Sequence, residues 1–165
     1  MITDSTVSSD EILIHAPIKL VWEILVDFGN YGAWNDFCPK CEAELTLGSP
    51  ITMQVDLGFG LQEQVEYICR IEPPRAIAWK MNTQPGDPVH ALRTQTLEAV
   101  DDATTRYVSI DEFSGEGVPM MMETLGAAVE TGFNQCGYGL KKYSEQRYAA
   151  QAAEGSAKTP EGEKQ

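Results

Sequence analysis

Two charged residues sit inside apolar strand patterns, and they are where chemistry would start. Arg93 falls within Val89–Val100 and Asp111 within Thr104–Phe113, two runs joined across Asp101-Asp102-Ala103. Each lies nine residues from Asp102, so an antiparallel hairpin sets them opposite each other. If Leu97 faces inward, Arg93, Gln95 and Ala99 share its face. An inward Phe113 likewise takes Asp111, Ser109 and Tyr107 with it. The opposite parity would turn Val108, Ile110 and Glu112 inward. On the first parity, a guanidinium and a carboxylate face one interior. A buried charge needs a partner. The pair therefore reads as a structural ion pair, as a polar anchor for a ligand carboxylate, phenolate or carbonyl, or as an acid–base couple.

The other reactive residues say less. His90 opens a strand, and a lone histidine gives little ground for an acid–base role. Cys38-Pro39-Lys40-Cys41 has the spacing of a redox pair or of half a zinc site. Zinc needs four ligands as a rule, and no second CxxC or spaced histidine pair is present. A thioredoxin-like motif would open a helix, whereas this one precedes a strand. Coincidence is the reading preferred over a reversible disulfide or a metal site. A phosphate-cradling glycine loop, GxSxG and HExxH are all absent. No metal and no cofactor is expected.

These residues must be positioned by something, and the longest signal is C-terminal. Val118, Met121, Met122, Leu125, Val129, Phe133, Cys136, Leu140 and Tyr143 fall at steps of three and four. They predict a helix of about eight turns over Val118–Tyr148 with one apolar stripe. Gly126, Gly132, Gly137 and Gly139 interrupt it, each costing about 1 kcal/mol relative to alanine. A bend, a close approach to the sheet, or room for a ligand would each account for them. Met120-Met121-Met122 could supply a deformable apolar wall.

Before that helix, the chain reads as strand, two short helices and six strands. Glu11–His15 alternates. Pro17 then opens a helix whose face is Ile18, Val21, Trp22, Leu25 and Phe28, and Tyr31–Asp36 is a second short helix or turn. Strand patterns follow at Cys41–Leu47, Ile51–Leu57, Gln62–Glu72, Arg75–Met81 and the hairpin. Short turns favour antiparallel neighbours. The expected fold is α+β, a curved antiparallel sheet of about seven strands around one long helix. Residues 1–9 and 150–165 read as disordered tails around a single domain at 10–149.

The chain has 165 residues, ample for one core, and a net charge of −13. That charge argues against nucleic acid and against an anionic membrane surface. No apolar run approaches a membrane span, and the first ten residues lack a secretory signal. With four scattered cysteines, cytoplasmic free thiols are expected.

Several local patterns then come together. They are Ile14-His15-Ala16-Pro17 with Val21-Trp22, Asp27-Phe28-Gly29-Asn30-Tyr31 with Trp34-Asn35, and Glu72-Pro73-Pro74-Arg75 before Ile77-Ala78-Trp79. Arg93 with Leu97-Glu98, Phe113-Ser114-Gly115, and Gly139-Leu140-Lys141-Lys142-Tyr143 complete the series. In this order the chain resembles the START-like (SRPBCC) superfamily of helix-grip proteins, and most closely its bacterial polyketide cyclase/dehydrase-like branch. The resemblance covers about residues 10–148. It implies a cavity between the sheet and the last helix, with Trp34 and Asn35 beside its mouth. Candidate ligand-binding residues are then Trp34, Asn35, Arg93, Gln95, Asp111, Met122 and Phe133. The expected partner is a small hydrophobic molecule, held by a carrier or by a cofactor-free cyclase, dehydratase or isomerase. The sequence does not separate these two, and catalytic residues stay unassigned. An acidic protein-interaction module without a ligand is the alternative.

Overall fold

Alternation in the sequence becomes one antiparallel sheet. In the computed structural model, which describes residues 1–157, the strands are β1 (Thr6–Ser8), β2 (Ile12–Ile14), β3 (Lys40–Glu42), β4 (Pro50–Asp56), β5 (Leu61–Glu72), β6 (Ala76–Met81), β7 (His90–Asp101) and β8 (Thr104–Ser114). Their order in space is β1-β8-β7-β6-β5-β4-β3, and β2 also pairs with β8. Val7 stands opposite Asp111 and Leu13 opposite Arg106, so β1 and β2 share one edge of β8. Eight strands thus fill seven positions in the sheet.

Helix α1 (Ile18–Leu25) buries Leu20, Val21, Trp22, Ile24 and Leu25. Pro17 precedes it in an extended conformation, suited to a helix start. A 3-10 helix, Phe28–Ala33, follows, and the Tyr31 hydroxyl donates to the Leu25 carbonyl (2.6 Å). Helix α2 (Val118–Ala157) has 40 residues, about 60 Å at 1.5 Å per residue. Its buried stripe is Val129, Phe133, Cys136 and Leu140.

Close approach explains most of the glycines of α2. A Cβ on Gly139 would run into the Trp34 carbonyl oxygen, and one on Gly137 into Ile12 and the Tyr107 ring. Gly132 lies against Phe37. At Gly126 a Cβ would meet only side-chain atoms at 3.9 Å, so nothing there demands glycine.

Three expectations need correction. Residues 1–9 are not wholly a disordered lead. β1 lies within them, Val7 is fully buried, and the Ser9 amide donates to the Ser109 carbonyl (2.8 Å). A single apolar residue between Thr6 and Ser8 shows no period, so pairing with β8 decides the conformation. The C-terminal tail does not start at 150, because α2 continues through Ala157; residues 158–165 lie outside the described residues. The strand expected over Cys41–Leu47 is only three residues long, Lys40–Glu42, at the sheet edge.

Candidate functional site

Sheet and helix do not meet along their whole length. Between β4–β8 and the first turns of α2 lies a cavity of about 470 Å³. That is within the usual range for small-molecule sites. Its sheet wall includes Met53, Trp79 and Phe113, and α2 contributes Met121, Leu125, Val129 and Phe133. Phe37, from the loop after the 3-10 helix, closes one end edge-on to Phe133, with ring centroids 6.0 Å apart.

Arg93 and Asp111 face each other across β7 and β8 and both line this cavity. The parity with Leu97 inward is the observed one, since Leu97, Gln95 and Arg93 are all buried. No ion pair joins Arg93 to Asp111 among the described residues, which counts against the structural ion pair, one of the three readings of these residues. The guanidinium lies among aromatic rings instead, with its Cζ 4.2 Å from the Phe133 centroid, 5.5 Å from Trp79 and 5.9 Å from Phe37. Each such contact contributes about 0.5–2 kcal/mol. Arg93 Nε donates to Ser109 Oγ (3.0 Å). Arg93 Nη2 and Asp111 Oδ1 are both buried and have no hydrogen-bond partner among the described residues.

A third charged group, missed in the sequence, joins them. Glu66 of β5 lines the same cavity. Burial pushes the Glu66 carboxyl up to about 7, against the pull of Arg93. Burial also pushes Asp111 up to about 7, with the Glu66 charge adding to it and Arg93 opposing. Arg93 stays protonated: burial opposes its charge, and Cys136, Tyr107 and Asp111 around it more than compensate. The site therefore holds one fixed cation and two carboxyls that titrate near neutrality.

Of the other candidates, Phe133 lines the cavity and four residues do not. Trp34 is buried edge-on to Tyr31 (centroids 4.9 Å) and supports α2 at Gly139. Asn35 Oδ1 accepts the Cys38 amide (3.0 Å), a local turn bond of the kind short polar side chains favour. Gln95 Oε1 accepts from the Tyr107 hydroxyl (2.7 Å) in filled core. Met122 packs on the core edge, and Met121 takes the place expected for it in the wall. His90 Nδ1 is hydrogen-bonded to Thr83 Oγ1 and does not line the cavity. Cys38 and Cys41 are buried free thiols: Cys38 Sγ donates to the Lys40 carbonyl (3.4 Å), and the neighbouring thiols push each other's pKa apart, Cys38 down and Cys41 up. Among the described residues, no group of three or more His, Cys, Asp or Glu stands where it could hold a metal ion.

Comparison with known proteins places the chain. Residues 15–145 match the family model described as Activator of Hsp90 ATPase homolog 1-like protein. The chain belongs to this family. The Activator of Hsp90 ATPase homolog 1-like family is part of the START-like superfamily, and solved structures repeat its fold. The Zhui aromatase/cyclase from a Streptomyces species superposes with a TM-score of 0.69 at 19% identity, over 86% of this chain and 94% of that one. A hypothetical protein from Helicobacter pylori gives 0.68 at 16% identity, over 86% and 89%. A START superfamily protein from Mycobacterium smegmatis gives 0.58 at 13% identity, over 82% and 99%. No curated protein matches the chain. Among the described residues, no helix is long and apolar enough to cross a membrane.

Proposed function

We propose that the protein binds one small hydrophobic molecule in the cavity between β4–β8 and α2, with Arg93, Asp111 and Glu66 engaging its polar end. The observation that carries this reading is the cavity itself. Its wall is largely apolar, yet it holds one guanidinium nitrogen, Arg93 Nη2, and one carboxylate oxygen, Asp111 Oδ1, that the other described residues leave unpartnered. Unpartnered buried polar atoms cost about 1–3 kcal/mol each, a cost that a complementary ligand would remove. The four cysteines are free, in keeping with a cytoplasmic setting.

Titration with the neutral dye N-phenyl-1-naphthylamine tests the reading. Saturable fluorescence enhancement is expected at one dye per chain. It should be lost in Ala91→Trp, which fills the hollow from β7. Absence of saturable binding, or full binding in Ala91→Trp, would overturn it.

A second reading is favoured by the two carboxyls near pH 7, since a general acid or base works best near the operating pH. A cofactor-free isomerase or cyclase would use Asp111 or Glu66 to move a proton on a bound ketone. Deuterium uptake from heavy water by 2-tetralone, abolished in Asp111→Asn, would support catalysis over carriage.

A further inference from the structure

We infer that the polar end of the molecule held here is a neutral group that donates one hydrogen bond and accepts another, a hydroxyl or a primary carboxamide, and is not a carboxylate. The inference rests on the cavity's being a binding site for a hydrophobic molecule.

Arg93 Nε is committed to Ser109, and the guanidinium is fixed among the rings of Phe133, Trp79 and Phe37. Nη2 remains, and it can only donate. Asp111 Oδ1 is likewise unpartnered on the directly opposed residue of β8, and above about pH 7, where the carboxyl is ionised, it can only accept. Directly opposed residues of an antiparallel pair have Cα atoms about 4.5–5.5 Å apart, so one small group can reach both side chains. The complement of a donor and an acceptor set side by side is an acceptor and a donor set side by side.

Charge narrows the class further. Besides Arg93, the charged groups lining the cavity are Asp111 of β8 and Glu66 of β5; the lining part of α2 supplies only Met121, Leu125, Val129 and Phe133. With both carboxyls ionised, one cation faces two anions, so a ligand carboxylate would be a third anion in a poorly solvated space. An ammonium would suit the carboxyls but would have to sit against Arg93. An ester or ketone would satisfy Nη2 and leave Asp111 unpartnered. A hydroxyl or carboxamide satisfies both without adding charge.

Four probes on one naphthalene body decide the matter: 2-naphthol, 2-naphthamide, methyl 2-naphthoate and 2-naphthoate, titrated at pH 8 by calorimetry or by displacement of N-phenyl-1-naphthylamine. Naphthol and naphthamide are expected to bind at least about tenfold more tightly than the methyl ester, the equivalent of one hydrogen bond to a charged partner. The carboxylate is expected to bind weakest. In Asp111→Leu, with folding checked by thermal melting, the preference over the ester should collapse and naphthoate should bind better than it does to the parent protein. Naphthoate binding as tightly as naphthamide to the unmodified protein would overturn the inference, as would an ester that binds as well as the amide. Both outcomes are read on the parent chain, so a misfolded variant does not obscure them. If even the neutral dye fails to bind, the cavity reading falls instead, which is a different result.

Discussion

The hairpin β7–β8 carries two polar groups on one face, and they differ in kind. Toward the turn, Gln95 and Tyr107 are buried and bonded to each other, and Thr105 Oγ1 donates to the Ala16 carbonyl (2.8 Å). α2 presses on this half so closely that Gly137 has no room for a Cβ beside the Tyr107 ring, and Gly139, two residues on, has none beside Trp34. Toward the open end, Arg93 and Asp111 stand on the same face, two residues beyond Gln95 and four beyond Tyr107. There α2 leaves a hollow, and Nη2 and Oδ1 go unpartnered among the described residues. One half is organised for packing: these hairpin groups are paired, and the unpartnered Trp34 Nε1 and Ser144 Oγ near it lie outside the cavity lining. The other half carries unpaired polar groups next to space. A core gains nothing from the second arrangement, whereas a binding site requires it.

The sharpest way to break this contrast is at the glycines. Gly139→Val drives a branched side chain into the Trp34 backbone, which cannot rotate away, and should cost more than about 3 kcal/mol. Gly126→Ala over the open half should instead stabilise the protein by about 0.5–1 kcal/mol through helix propensity. Urea melts of the two variants measure the difference, and equal losses would dissolve the distinction between the halves.

Large-to-small substitutions give a smaller split. Leu140 is fully buried in the packed half, so Leu140→Ala should cost about 2–5 kcal/mol. Leu125 borders the hollow and is already half-exposed, so Leu125→Ala should cost only about 1 kcal/mol. A loss at Leu125 as large as at Leu140 would mean that the hollow is closed in solution.

The smallest expected effect is in the pH dependence. The folded-state pKa of Asp111 and of Glu66 is raised, to about 7, so each carboxyl binds its proton more tightly folded than unfolded. Their contribution is fully present below the ordinary carboxylate range, near pH 4, and is lost as pH rises through 7. Asp111→Asn, and separately Glu66→Gln, should therefore be more stable than the parent at pH 8. Because both side chains are only half-buried, the gain should be about 1–2 kcal/mol, shrinking toward pH 5. Denaturant melts at the two pH values check this. A variant less stable than the parent at pH 8 would place the carboxyl in a strong ion pair.

The fold and half of the site could be read from the chain, for reasons that are local. Helix α2 is long enough for its period to be unmistakable, and the short turn at Asp102 lets simple counting set Arg93 against Asp111. Parity finds the right face but not how far the cavity runs along it, so it groups Gln95 with Arg93 although Gln95 lies in filled core. Glu66 was hidden because β5 inverts the usual pattern. Gln64 and Glu66 are more covered than the exposed Val65, though all three border the hollow, and a register shift between Ile68 and Arg70 breaks the alternation again. Polar residues at inward parity were the available signal. Met121 and Met122 differ by a rotation of one residue, finer than a stripe can resolve.

The uneven seating of α2 also has a kinetic consequence. Its middle turns are clamped between the Trp34 carbonyl and the β2–β8 edge, while its first three turns span a hollow. Backbone opening should therefore be graded along one continuous rod, frequent near Met121 and rare near Leu140. A guest would enter by loosening the end of that rod rather than by swinging a hinge. Its dwell time would show as slowed amide exchange between Met121 and Val129, with the amides near Leu140 unchanged.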